Sequence, residues 1–250
     1  MGESTLTRGE EPPELDELAA RSWALQARVL ARITAADPAS TGGRLRLFAE
    51  GLPAILERLK VLERATSSVV YNLNARSVFD PQRREREPNE RTRARGIRGH
   101  MITTPVQHLS LVAIAHPDTW VAPTVWTNGI VIDERVGLFS GPPTPDGRPT
   151  AWLCRDSDLV MGFCDLWWET RQRAVPIRDA PGVVPLTERQ VEVAALLGRG
   201  AKDATIARRL GVSPRTVTSD IGRLLDAFGV ATRWEGGMVL GRACPPELTD

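Results

Sequence analysis

Lysine is almost missing from this chain: it occurs only at Lys60 and Lys202, so nearly every one of the 32 basic residues is an arginine. GC-rich coding produces the same bias, so arginine abundance by itself is no evidence of phosphate binding. Cysteine is scarce as well. Cys154, Cys164 and Cys244 form no CxxC and are odd in number, which argues against a disulfide framework or thiolate metal cluster and suits a reducing compartment. No apolar run reaches the roughly 18 to 20 residues of a membrane span. The acidic N-terminus has no apolar stretch of the secretory kind, so a soluble, cytoplasmic protein with no membrane partner is expected. An excess of either charge is also lacking. The formal net charge is +1, with 31 acidic residues, so any electrostatic footprint must be local.

Other absences concern chemistry. The turn-rich segment 141–147 has neither a P-loop lysine nor a G-x-G-x-x-G pattern, which disfavours nucleotide binding. His100, His108 and His116 recur every eight residues, a spacing that puts no two on one helix face for a metal. Asp133-Glu134 suits a hairpin turn better than an acid/base pair. No phospho-acceptor aspartate stands on an N-terminal βα repeat. No catalytic residue, metal or cofactor is therefore assigned.

What is present is a 42% hydrophobic chain of 250 residues, enough for two ordinary domains. Residues 1–13 suggest a disordered tail. Residues 14–64 carry apolar positions at helical spacing on either side of Thr41-Gly42-Gly43, which predicts a helical hairpin; Pro53 perturbs or starts its second helix. From 65 to 180 the period changes. Strands are expected near 67–73, 97–102, 120–139 and 152–155, with helices near 105–115 and 156–174, which together make an α/β domain. Seven arginines between 82 and 98, opposed by Glu85, Glu87 and Glu90, suggest a solvated loop, with an accessory anion patch as the sharper alternative. Residues 181–185 have the composition of a linker, and 244–250 that of a tail.

Residues 186–243 are the most informative. Thr187 and Gln190 form a capping box ahead of an apolar helix. A second short helix, about 203–210, ends at Gly211, which can adopt a left-handed backbone. Ser213-Pro214 then supplies a cap and first-turn proline for a third helix, 214–228. Val217, Ile221, Leu224, Leu225 and Phe228 make one stripe along it, leaving Arg215, Thr216, Thr218, Ser219 and Arg223 to face outward. A short helix, a glycine turn and a capped helix describe a helix-turn-helix, whose second helix enters the major groove of double-stranded DNA. With Lys202 and Thr205 of the preceding helix, these residues form the expected DNA-binding set.

The runs LTERQVEVAALLGRG, I-A-x-x-L-G-V-S-x-R-T-V and F-G-V-x-x-R resemble the LuxR-type DNA-binding domain. That resemblance implies an all-α four-helix domain, a fourth helix after Arg233 used for dimer contacts, and a homodimeric transcriptional regulator. Where the family commonly has lysine and histidine, this chain has Thr218 and Asp220, which implies a shallower salt dependence. Asp220 would be repelled by phosphates unless it pairs with Arg223 or accepts from cytosine N4. Upstream, VWTNGIVIDERVGLFSG resembles a phospholipase D half-site, of the degenerate kind found in TrmB-like regulators. Its histidine and lysine positions hold Trp126 and Asn128, which cannot act as nucleophile or cation. The resemblance implies a catalytically dead regulatory domain. Trp126 and Asn128 are then the first candidates to line a pocket for a small effector. The rival reading is a phosphodiesterase-like enzyme with an attached targeting domain.

Overall fold

A computed structural model describes residues 16–36, 43–84, 86–245 and 248. The expected N-terminal tail, 1–13, lies outside them. Most of the chain up to residue 179 builds one eight-stranded mixed sheet with helices on both faces. The strands are β1 (Leu45–Glu50), β2 (Val69–Asn74), β3 (Arg98–Thr103), β4 (Trp120–Val121), β5 (Gly129–Ile132), β6 (Val136–Gly141), β7 (Thr150–Cys154) and β8 (Val175–Pro176). They lie in the order β1-β7-β6-β5-β2-β3-β4-β8. Only the β2–β3 and β3–β4 pairs are parallel.

Alternation along β2 sorts the two faces. Val69, Tyr71 and Leu73 are buried on one side, against α1 (Glu17–Ala35) and α5 (Ser157–Gln172). Phe163 and Trp167 of α5 are almost fully enclosed there, and burial of each stabilises the fold by roughly 1.5–3 kcal/mol. The opposite face carries α2 (Leu52–Ala65), α3 (Arg86–Ala94) and α4 (Leu109–Ala115).

The β5–β6 hairpin turns on Asp133 and Glu134, both with left-handed backbone (φ 51° and 55°). The Arg135 amide donates to the Ile132 carbonyl at 3.0 Å, so these two are the central residues of a turn inside a three-residue connection. Positive φ at both is costly without glycine. The Asp133 carboxylate offsets the cost. It accepts from the amides of Ser67, Ser68 and Val69 and from both serine hydroxyls at 2.8–3.1 Å. Burial works against its charge, yet these amides and hydroxyls hold its pKa far below the usual carboxylate range. Asp133 is thus the bracket that starts β2.

Four expectations need correction. The helical hairpin of 14–64 does not form: β1 intervenes and pairs antiparallel with β7, so α1 and α2 lie on opposite faces of the sheet. The apolar positions of 45–48 fit a strand as well as a helix. Gly51 at φ 79° and Pro53 in the first turn then reset the chain into α2. The arginine-rich stretch is largely helical rather than a loop, and its cations are spent internally. Arg83 reaches Glu188 and Glu192, Arg84 pairs with Asp80, Arg91 with Glu63 and Glu87, and Arg95 with Glu63. An anion patch has little left to work with.

The proline-rich run before the C-terminal helices is no free tether. β8 joins the sheet edge, Ile177 is buried, and the Val184 amide donates to Ser110 Oγ at 2.9 Å. Of the expected tail, Cys244 and Leu248 are buried and the Leu248 carbonyl accepts from Arg84, so these two are packed rather than free. The C-terminal helices therefore sit directly on the sheet domain. Phe79 and Leu111 of that domain belong to their apolar core, and the Phe79 amide donates to the Ala243 carbonyl at 2.8 Å.

Candidate nucleic-acid interface

The C-terminal unit comprises α6 (Glu188–Gly198), α7 (Asp203–Leu210), α8 (Pro214–Phe228) and α9 (Arg233–Ala243). Local chemistry sets each boundary. Thr187 and Gln190 form the reciprocal capping box that opens α6, and Thr232 with Glu235 does the same for α9. Gly211 ends α7 at φ 65°, a backbone an L side chain seldom adopts. Two residues on, Ser213 Oγ accepts from the Thr216 amide at 3.1 Å and Pro214 occupies the first turn of α8.

Along α8, Val217, Ile221, Leu224 and Phe228 are buried against α6, α7 and α9, and Leu225 is half-buried. Arg215, Thr218, Ser219 and Arg223 are exposed on the other side; Thr216 is half-buried, its hydroxyl 2.9 Å from that of Ser213. Thr218 Oγ1 donates back to the Pro214 carbonyl, which leaves its lone pairs outward. Lys202 is exposed and Thr205 half-buried at the start of α7. Two exposed cations missing from the expected set, Arg208 and Arg209, stand one short turn before α8. Their signal in the sequence was position in the last turn of α7, next to the glycine. Among the described residues, Lys202, Arg208, Arg209, Arg215 and Arg223 have no ion-pair partner.

Asp220 departs from expectation. It is 3% exposed and points inward, where it accepts from Arg189 Nε and Nη2 (2.7 and 3.2 Å) and from Gln190 Nε2 (3.4 Å). It therefore neither pairs with Arg223 nor faces DNA; it ties α8 to the first turn of α6. The i+3 position of Asp220 from Val217 gave this away, because it continues the buried side. A second tie, Asp203 to Arg233 at 2.5–2.7 Å, joins α7 to α9. Trp234 and Met238 stand exposed on α9.

The upstream candidates are separated. The Trp126 ring lies edge-on to Trp23 at 5.8 Å, on the outside of α1. Asn128 Oδ1 accepts from the Ala75 amide at 2.8 Å and lines a cavity of about 230 Å³ with Leu25, Gln26, Val29 and Phe139, without Trp126. A larger cavity, about 480 Å³, lies on the opposite face of the sheet. All three histidines have pKa values lowered mainly by burial, His116 to about 4. No group of three metal-ligating side chains gathers among the described residues.

Residues 184–236 match the family model of bacterial regulatory proteins, luxR family. The C-terminal unit is a luxR-type helix-turn-helix domain, attached to a mixed α/β domain. The Bialaphos biosynthetic pathway regulatory protein of Streptomyces hygroscopicus is 34% identical over 84 residues, 34% of this chain and 31% of that protein. The match thus spans about a third of that relative's length. Distant structural likenesses include TrmBL2, described as an archaeal chromatin protein with a novel mode of DNA binding (14% identity, 64% of each chain, TM-score 0.41). NucT from Helicobacter pylori is 12% identical over 53% of this chain and 98% of that one, with a TM-score of 0.41. Nuc from Salmonella typhimurium, a phospholipase D family member, is 9% identical over 52% and 97%, with a TM-score of 0.39.

Proposed function

We propose that the protein is a DNA-binding transcriptional regulator that reads operator DNA with α8 in the major groove, as a homodimer. One observation carries the reading. Within the luxR-type segment, α8 is capped and buried along one stripe, while its N-terminal half offers Arg215, Thr218 and Ser219 to solvent with no internal ion pair. Arginine there can pair with guanine, and the hydroxyls reach phosphates or base edges. Lys202 and Thr205 at the start of α7 and Arg223 along α8 serve as further contacts, with Thr216 mainly a capping partner. One recognition helix reads few base pairs, so two half-sites about one helical turn apart add affinity and specificity. The exposed Trp234 and Met238 give α9 an apolar surface for that pairing.

The upstream domain acts as a regulatory module rather than an enzyme. Asn128, at the position resembling a phospholipase D lysine, spends its carboxamide oxygen on a backbone amide, and Asp133 is saturated by five hydrogen bonds. Neither is free to assist phosphodiester cleavage. No helix among the described residues is long and apolar enough to cross a membrane. Action on DNA is what supports a cytoplasmic location.

The test begins by selecting DNA from a random-sequence pool with the full chain. Gel-shift affinities for the selected fragment are then measured with the parent, Arg215→Ala and Thr218→Ala. Both variants should bind more weakly with melting temperatures unchanged, by about 1–3 kcal/mol for the arginine. Parent-like affinity in both would overturn the assignment of α8 as the reader.

A further inference from the structure

We infer that the cavity of about 480 Å³ between the sheet and α2, α3 and α4 is a binding site for an uncharged, largely apolar small molecule, and that its occupancy alters DNA affinity. The second clause rests on the DNA-reading function proposed above; the first does not.

The cavity arises from how the helices are spaced. On this face α2 covers β1, β7 and β6, while α4 covers the β3–β4 end. Between them Val70, Asn72, Gly99, Met101, Ile130 and Ile132 look into open space. The consequence is visible on α2, which carries Leu52, Ile55, Leu56, Leu59 and Leu62 and yet buries none of its residues fully. Ile55, Leu59 and Leu62 rest on the β1, β7 and β6 side, but Leu52, Ile55, Leu56 and Leu59 also border the cavity, so α2 is only partly packed and leaves apolar surface uncovered there. The volume falls within the 300–1,000 Å³ common to small-molecule sites.

The wall states what fits. Every charged side chain on it is already paired: Lys60 with Glu57, Glu63 with Arg91 and Arg95, Asp80 with Arg84, and Arg93 with Asp118. A charged ligand would find no counterion, so the occupant is neutral. A polar group on the wall stands open to a ligand. Asn72 lines the cavity, is half-buried, and its side chain makes no hydrogen bond among the described residues. Its amide defines where a hydroxyl, carbonyl or N–H of the ligand docks. The Thr119 hydroxyl, also unpartnered among the described residues, is sealed away from the cavity and takes no part.

The site also shares its wall with the DNA-reading unit. Phe79 and Leu111 line the cavity and at the same time belong to the apolar core of the four C-terminal helices. Helix α4 touches both α6 and α8. A molecule that displaces Leu111 or Phe79 therefore shifts the seat of α8 on the sheet domain, a differential contact of the kind needed to bias an equilibrium.

The probe is N-phenyl-1-naphthylamine, which is neutral, carries one N–H and fluoresces in apolar surroundings. Titrated into the full chain, it should give a saturable rise with one site per chain. Leu56→Trp and Ala115→Trp, which fill the cavity, should weaken it at least tenfold with parent-like circular dichroism. Asn72→Leu keeps the side-chain volume, removes only the amide that faces the cavity, and should weaken binding about threefold or more without lowering the melting temperature, which keeps the test decisive if a tryptophan variant does not fold. In gel shifts, saturating probe should change affinity for the selected DNA at least threefold in the parent and not in Leu56→Trp. Absence of saturable binding, or equal binding by folded tryptophan variants, overturns the site. Bound probe with unchanged DNA affinity overturns the coupling. A parent that titrates the probe but binds no DNA instead overturns the DNA-reading function and supports the cavity.

Discussion

Protonation of His116 should destabilise the protein in a way that can be calculated. The ring sits at the end of α4 on the cavity wall, its Nδ1 3.2 Å from Asn89 Nδ2. Burial, helped by the nearby positive charge of Arg93, lowers its pKa from 6.5 to about 4. Arg93 itself faces Asp118 at 3.8 Å. Because the folded value is depressed, the unfolded chain binds the extra proton first as pH falls. The stabilising contribution is therefore complete above about pH 6.5 and is lost as pH drops towards 4. Between about pH 7.5 and pH 5 the loss is about 2 kcal/mol, rising to about 3 kcal/mol at pH 4. The measurement is urea unfolding of the parent and of His116→Gln at several pH values. His100 and His108, also depressed by burial, remain in both proteins and cancel in the difference. The stability gap between parent and variant should close, or reverse, by about 2 kcal/mol on going to pH 5. Parallel stability curves would show that His116 does not stay neutral in the folded protein and would refute the reasoning.

Three further outcomes are expected. Ile206, fully buried between α7 and the rest of its unit, should cost about 2–5 kcal/mol as Ile206→Ala, read as a lower urea midpoint; a change under about 1 kcal/mol would mean the unit is loosely packed. If Lys202, Arg208, Arg209, Arg215 and Arg223 all neutralise phosphates, the logarithmic salt slope of DNA binding should be about −4 to −5 per copy, and a slope near about −1 would remove most of them from the interface. All three cysteines are buried and free, and burial pushes Cys164 and Cys244 up to about 11. Iodoacetamide at about pH 8 should leave them unmodified until urea unfolds the chain, as mass spectrometry would report; rapid labelling of the folded protein would contradict the packing.

Legibility in the sequence tracked how local the determining forces are. The helix-turn-helix could be read because its signals lie within a few residues of the structure they specify. Thr187 and Gln190 close on each other, Gly211 takes the one backbone it suits, and Ser213-Pro214 starts a helix whose stripe repeats with the helical period. The Asp133-Glu134 turn was legible for the same reason. Residues 45–50 were not, because strand formation there depends on β7, about a hundred residues away, and a short apolar run fits either period. The fate of the arginines in 83–95 was hidden too, since their partners Glu63, Glu188 and Glu192 come from distant elements.

The amino-acid order alone thus determined that this chain carries a capped, glycine-turned pair of helices able to present Arg215, Thr218 and Ser219, since caps, turns and helical stripes are fixed by neighbours along the backbone. Only the tertiary structure decided that Asp220 turns inward to Arg189, that the C-terminal helices rest on Phe79 and Leu111, and that an unfilled apolar space lies over β2. Those outcomes depend on which distant surfaces meet and on how well helices of given length and spacing cover a sheet, and no local pattern in the chain encodes either.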